Sequence, residues 1–410
     1  MLTISLVASL AGRARGQSIG DLLPIAVPGF AVAPGVTAQS RLHPEDAALG
    51  VTLGLTPDDL VVYPALSASA GVDSAPGAGQ GGSVEAMVQP SVRIDDAALG
   101  LVGYATADLS RYTGDASANS NDVIAGVGLA LPLGANTITL GAARIATQET
   151  ALGVALPGGS APFGVVVDDG RIAARLALGA IDATGRFEIS RAALSASTGS
   201  LLPAFRNQTL IRASSEIATA DDGVLRWLGL LKVSEARYRR TVPGDGFANA
   251  TAIALLGGFE TDGTDIARLR LLGGLVHQSF ASAMPPASTT PIVSAGLGWT
   301  PDGLISLDME FSRQAGLETT LGTPGTAVNT ASLAVAESYA RDLLLTASID
   351  ARSGTVAQHA AREFDFVLGA SWHVSRAFAV APKLSYSCRH GLPGSAPREA
   401  RAMVGVVWAP

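Results

Sequence analysis

From about residue 60 onward, apolar and polar residues alternate one by one. Between Ile305 and Ser312 the alternation is unbroken. Ile305, Leu307, Met309 and Phe311 fall on one side; Ser306, Asp308, Glu310, Ser312 and Gln314 fall on the other. A period of two is that of a β-strand with one apolar and one wet face. The preceding segment, 293–299, alternates more weakly. It is joined to 305–314 through Thr300-Pro301-Asp302-Gly303, where Pro presets φ and Gly accepts positive φ, so the pair reads as a hairpin.

Units of this kind follow one another to the end of the chain. Tight turns are expected at 95–98, 134–136, 182–185, 220–223, 261–264, 300–303, 341–342 and 375–376, and longer polar loops near 115, 157, 201, 244, 285, 320, 356 and 394. Pro64 and Pro90 fall inside expected strands, where each removes a ladder donor. Short turns alternating with long loops are the habit of outer-membrane barrels. The pattern predicts an all-β fold: a transmembrane antiparallel up-and-down β-barrel of about eighteen strands, with sixteen possible at this precision of boundaries. Closure also satisfies every backbone group in lipid, because a closed sheet has no edge. Barrels of about 16–18 strands enclose an aqueous channel.

Composition supports this reading. Hydrophobic residues are 48% of the 410 and charged residues 15%, against roughly 25% charge in an ordinary globular domain. No window approaches the roughly 18 unbroken apolar residues of a membrane helix, so the apolar content lies in the alternation. A net charge of −7 with no basic run argues against a nucleic-acid partner. The single cysteine, Cys388, falls on an apolar face and permits no intrachain disulfide. Aromatics are 5%, so the aromatic girdles of a barrel are expected to be thin. At the N-terminus an apolar run, 2–12, precedes Arg13-Ala14-Arg15-Gly16-Gln17, and residues 1–17 read as a truncated or atypical signal peptide. Residues 18–58 read as a periplasmic segment that could plug the mouth, and residues 59–410 as the barrel.

Several words of the sequence carry a resemblance. They are Gly35-Val-Thr-Ala-Gln-Ser-Arg41, Leu49-Gly50-Val-Thr-Leu-Gly54, Tyr63-Pro64-Ala-Leu66-Ser67-Ala68, Val88-Gln-Pro-Ser-Val-Arg93, Ala118-Asn119-Ser120-Asn121-Asp122, Gly274-Leu-Val-His277-Gln278-Ser-Phe280 and Leu297-Gly-Trp299-Thr-Pro301. From residue 35 to its end the chain resembles the outer-membrane β-barrel porin family of proteobacteria, the group often found with exopolysaccharide genes. Its end, Val406-Val407-Trp408-Ala409-Pro410, resembles the terminal strand signal of such barrels. The resemblance implies a porin-like barrel in the bacterial outer membrane that passes hydrophilic solutes or a polysaccharide. The alternative is an occluded docking barrel in an envelope assembly. The implied partners are outer-membrane lipid, the barrel assembly machinery and polysaccharide export components. It implies no cofactor and no catalytic residues.

The residues themselves also offer little for catalysis. The histidines at 43, 277, 359, 373 and 390 form no metal-spaced pair, and Gly77–Gly82 lacks the context of a phosphate loop. The informative feature is charge on the wet faces. Arg171, Arg175, Arg186, Arg212, Arg226, Arg268 and Arg270 are expected to form a basic wall of the lumen. Asp308, Glu310, Asp350, Glu363 and Asp365 are expected to form an acidic wall. Two readings follow: charges on facing walls pair and stiffen the lumen, or the two walls set a transverse field that orders passing solutes.

Overall fold

The computed structural model describes residues 51–53, 60–74, 82–113, 119–148, 164–195, 207–219, 225–238, 249–264, 266–281, 286–301, 304–315, 327–340, 342–356, 359–390 and 398–409. The stretch 1–50, with the signal and most of the periplasmic segment expected from sequence, lies outside these. A short strand, β1 (Val51–Leu53), precedes eighteen long ones. These are β2 (Leu60–Asp73), β3 (Ser83–Asp96), β4 (Leu101–Tyr112), β5 (Ser120–Leu133), β6 (Asn136–Gln148), β7 (Gly164–Ala177), β8 (Ile181–Ser195), β9 (Gln208–Thr219), β10 (Leu225–Tyr238), β11 (Ala250–Thr264), β12 (Ala267–Phe280), β13 (Ser288–Trp299), β14 (Ile305–Ala315), β15 (Ala327–Ala340), β16 (Leu343–Val356), β17 (His359–His373), β18 (Phe378–His390) and β19 (Arg398–Trp408). Each long strand pairs antiparallel with its sequence neighbour, and β19 pairs with β2, which closes the ring.

The alternation sets the faces as expected. Leu66, Val88, Leu255, Phe311, Leu368 and Val406 project outward and are exposed, whereas their strand neighbours Ala65, Met87, Leu256 and Ser312 face inward and are buried. In a bilayer this outer surface meets hydrocarbon. The short connections gather at one end of the barrel, the turn end, and most of the long ones at the other, the loop end.

The few tryptophans gather at one end. All four tryptophans, Trp227, Trp299, Trp372 and Trp408, are exposed on the outer face at the turn end. Phe259 stands edge-on to Trp227 with ring centroids 6.2 Å apart. Trp372 donates its indole N–H to Asp342 in the adjoining turn, 2.9 Å away. An apolar ring with one polar atom suits the membrane–water boundary.

The prolines sit where a ladder donor is not missed. Pro64 lies on β2 between the reach of β1, which ends opposite Val62, and that of β19, which begins opposite Leu66. Pro90 falls in a break of the β3–β4 ladder between Val88 and Ser91, and Pro382 in a break of the β17–β18 ladder.

Two differences from the expected connections have simple causes. The turn expected at 182–185 lies instead at 178–180, where Gly179 takes φ of 68°; Gly185 continues the strand, paired with Ala174. The loop expected near 356 is largely strand, because β16 and β17 stay in register from Leu343↔Trp372 to Val356↔His359.

The wall bends sharply inward at two creases. At β11–β12 an added Cβ on Gly258 would overlap the carbonyl oxygen of Leu271, and one on Gly274 that of Leu255. At β19–β2 a Cβ on Gly71 would overlap the carbonyl oxygen of Ala402. Only glycine allows backbones so close at a barrel corner.

Candidate functional site in the lumen

The inner face carries the chemistry. All seven arginines expected to form a basic wall lie on the inner face of β7–β12. They do not form a uniformly positive surface. Arg171 bonds Asp169 at 3.0 Å and Glu188 at 3.2 Å, and Glu188 bonds Arg212 at 3.0 Å. Asp182 takes Arg175 at 3.2 Å and Arg226 at 3.0 Å. Arg270 bonds Glu216 at 2.7 Å and Glu260 at 3.4 Å, and Arg268 bonds Glu260. Arg186 is exposed and makes no ion pair among the described residues. The pairs therefore join strands of one wall, not facing walls.

The physical cause is register. Antiparallel neighbours place inward side chains directly opposite one another, as with Arg171↔Glu188, Glu188↔Arg212 and Arg270↔Glu260. The carboxylate partners Asp169, Asp182, Glu188, Glu216 and Glu260 are not among the wall residues that the sequence singles out. Asp182 falls in the turn expected at 182–185, and pairing of the others depends on register between strands.

Beneath the Arg270–Glu216 bond lies an apolar patch on the inner face. Leu228, Leu230, Ala254, Leu256, Leu272 and Val276 form a buried cluster with Leu210, Ala250 and Ala252. The crease at Gly258 and Gly274 folds β9–β12 onto themselves, so these lumen-side residues cover one another. The local sequence, Leu230-Leu231 and Leu271-Leu272, is apolar on both faces, so alternation does not mark it. The second crease has its own bond: fully buried Glu85 on β3 pairs with Arg401 on β19, across Gly71 of β2.

The five carboxylates expected to form an acidic wall lie on the inner face of β14, β16 and β17. Glu310, Asp350 and Asp365 stand in one row through Glu310↔Ser332, Ser332↔Asp350 and Asp350↔Asp365, which continues through Ser387 to Glu399. Ser387 donates its hydroxyl to Asp365. Glu363 lies 3.8 Å from Arg352. Asp308 is one row nearer the turn end, opposite Gly298 and Ala334. This row faces the barrel axis from the side of the ring opposite β7 and β8.

Chemically, the inner surface is a polar lining of paired charges, interrupted by one apolar crease. Among the described residues no group of three His, Cys, Asp or Glu could hold a metal ion.

A family model described as "Putative beta-barrel porin 2" matches residues 46–409. No curated protein matches the chain. Among solved structures the chain is similar to OccK2 (OpdF) of Pseudomonas aeruginosa, at 11% identity over 85% of this chain and 98% of that one, with a TM-score of 0.44. It is also similar to the outer membrane protein opdK of Pseudomonas aeruginosa, at 10% identity over 86% and 98%, TM-score 0.44, and to the copper transporter OprC, at 10% identity over 87% and 82%, TM-score 0.45.

Proposed function

The chain belongs to the family described as putative beta-barrel porin 2, and from that premise we propose that it is a passive, weakly ion-selective channel for small hydrophilic solutes. It is a porin-like β-barrel of the bacterial outer membrane. The observation that carries the channel reading is the inner face: charged side chains from β7 to β19 line it in register, while the outer face is apolar. Charges paired within a wall hydrate a pore and leave only a small net field, so selectivity is weak. The function is transport, not catalysis. The turn end faces the periplasm and the loop end faces outward, as in other barrels of this build.

Planar-bilayer recording tests the channel. Stepwise conductance of purified, folded protein is expected. Silence from a folded barrel would favour the second reading, an occluded docking barrel in an envelope assembly. The buried cluster around Leu256 and Leu272, which occupies lumen-side space, supports that alternative. Orientation is tested separately by labelling cysteines placed at Gly134 and Gly179 of the turn end, or in the 391–397 connection, on intact cells. Labelling of the last alone is expected.

A further inference from the structure

The outer face of β14–β18 holds a feature that the channel does not use. At the loop end one outward row reads Arg313, Asn329, Ser353, Arg362 and His390, each directly opposite the next. The row below reads Phe311, Ala331, Ala351, Phe364 and Cys388. Phe311 and Phe364 are exposed, and the two alanines between them leave a dent. The result is a groove of about 580 Å³ on the outer surface, floored by Ala331 and Ala351 and walled by Phe311, Phe364 and Tyr386.

We infer that this groove binds one acyl chain of a bisphosphorylated glycolipid of the outer leaflet, with Arg313 and Arg362 holding its two phosphates. The inference rests on the outer-membrane reading and on the loop end facing outward. A groove two alanines wide between aromatic walls suits a saturated chain lying along the strands. The rim supplies the charge. Arg313, Arg362 and His390 are exposed, and neither arginine makes an ion pair among the described residues. Two other outward arginines near the loop end are neutralised by carboxylates, Arg144 by Asp168 at 3.5 Å and Arg237 by Glu235 at 2.7 Å. An arginine directly above an apolar row sits at the depth of lipid headgroups, and its planar fork matches phosphate.

Spacing selects the headgroup. Arg313 and Arg362 lie in one row, three strand steps apart, or roughly 14 Å at about 4.8 Å per step. A disaccharide bearing a phosphate at each end can meet both arginines at once. A glycerophospholipid has one phosphate and reaches one.

The test uses the full chain, refolded in detergent and titrated with bisphosphorylated lipid A, monophosphorylated lipid A or phosphatidylglycerol. Bound lipid is counted by native mass spectrometry. One lipid A per barrel is expected. Monophosphorylated lipid A, or the variant Arg313→Gln/Arg362→Gln, should weaken binding about tenfold or more, since each arginine near an anionic headgroup contributes appreciably. Ala351→Phe should fill the dent and abolish retention, and Ala331→Phe repeats that test independently. Heat-modifiable migration shows that each variant is folded. Equal binding of all three lipids, or undiminished binding by folded variants, would overturn the inference. Micelles impose no sidedness, so this outcome is independent of the conductance and labelling experiments that test the channel and its orientation.

Discussion

Arg270 on β12 reaches Glu216 on β9 at 2.7 Å, over the top of β10 and β11. In a flat sheet strands three steps apart are separated by at least about 14 Å, more than the two side chains span comfortably. The bond exists because the wall creases at Gly258 and Gly274. It straps the crease shut over the buried leucines. In a double-mutant cycle with Glu216→Gln and Arg270→Gln, measured by urea unfolding in lipid vesicles, the pair should show a coupling of about 1 kcal/mol. Both side chains are about a quarter to a third exposed, so solvent screens the pair and a larger value is not expected. Zero coupling would mean that the crease does not bring β9 and β12 together.

The apolar cluster under that strap gives a contrast between adjacent residues. Leu256 is 7% exposed on the inner face, whereas Leu255 is 66% exposed on the outer face. Leu256→Ala should destabilise the barrel by about 2–4 kcal/mol through the cavity it leaves. Leu255→Ala should cost about 1 kcal/mol or less, since its side chain meets lipid in the folded state. Equal losses in vesicle unfolding would refute the creased geometry.

The lipid face can be checked six strands further round, on β17. Phe366 lies outward near the middle of β17, between Ile349 and Tyr386. Phe366→Arg should cost about 2–4 kcal/mol if it meets the bilayer midplane. Asp365→Arg changes charge by more but enters water, and it faces Asp350 directly. Replacing one of two opposed carboxylates by a cation should cost well under about 1 kcal/mol.

Ion selectivity follows from the paired lining. Arg171 and Arg212 share Glu188, and Arg268 bonds Glu260. Arg171→Gln/Arg212→Gln/Arg268→Gln should leave Glu188 without either arginine and Glu260 with Arg270 alone, and shift the reversal potential in a salt gradient toward cations. The wild type should sit near zero selectivity. The shift should shrink at 1 M salt, where the Debye length is about 3 Å. A conducting variant with an unchanged reversal potential would make these arginines wall stiffeners only.

The ring and its faces were legible because alternation is a direct consequence of the pleat, and a lipid-facing strand cannot break it without exposing charge. Ile305–Phe311 and Phe364–Val374 show this plainly. The partners of the arginines were less legible. Whether a charge meets its opposite depends on register between strands, and one misplaced turn hid Asp182. The sequence Asp182-Ala183-Thr184-Gly185 has the chemistry of a turn, yet Leu178-Gly179-Ala180 makes the turn, because the ladder from Gly164↔Ser195 to Ala177↔Asp182 can run unbroken only then. The crease was invisible for a different reason. Gly257-Gly258 and Gly273-Gly274 place a glycine on each face, and nothing local shows that the inner one of each pair has a neighbouring backbone against it.

The seam at β2 sets a limit on how the ring can close. β1 occupies the lane on β2 opposite residues 60–62, and β19 occupies the same lane from Leu66 to Asp73. Trp408 therefore ends just short of ground already taken. A last strand arriving two residues too far along would run into Val51, and one arriving a single residue off would turn Met403 and Gly405 outward and Val404 and Val406 inward. The short strand thus leaves β19 no room to advance along β2 in the closed ring. In the closed ring the register that fixes the shear is the one that seats β1 and β19 end to end along β2 without overlap.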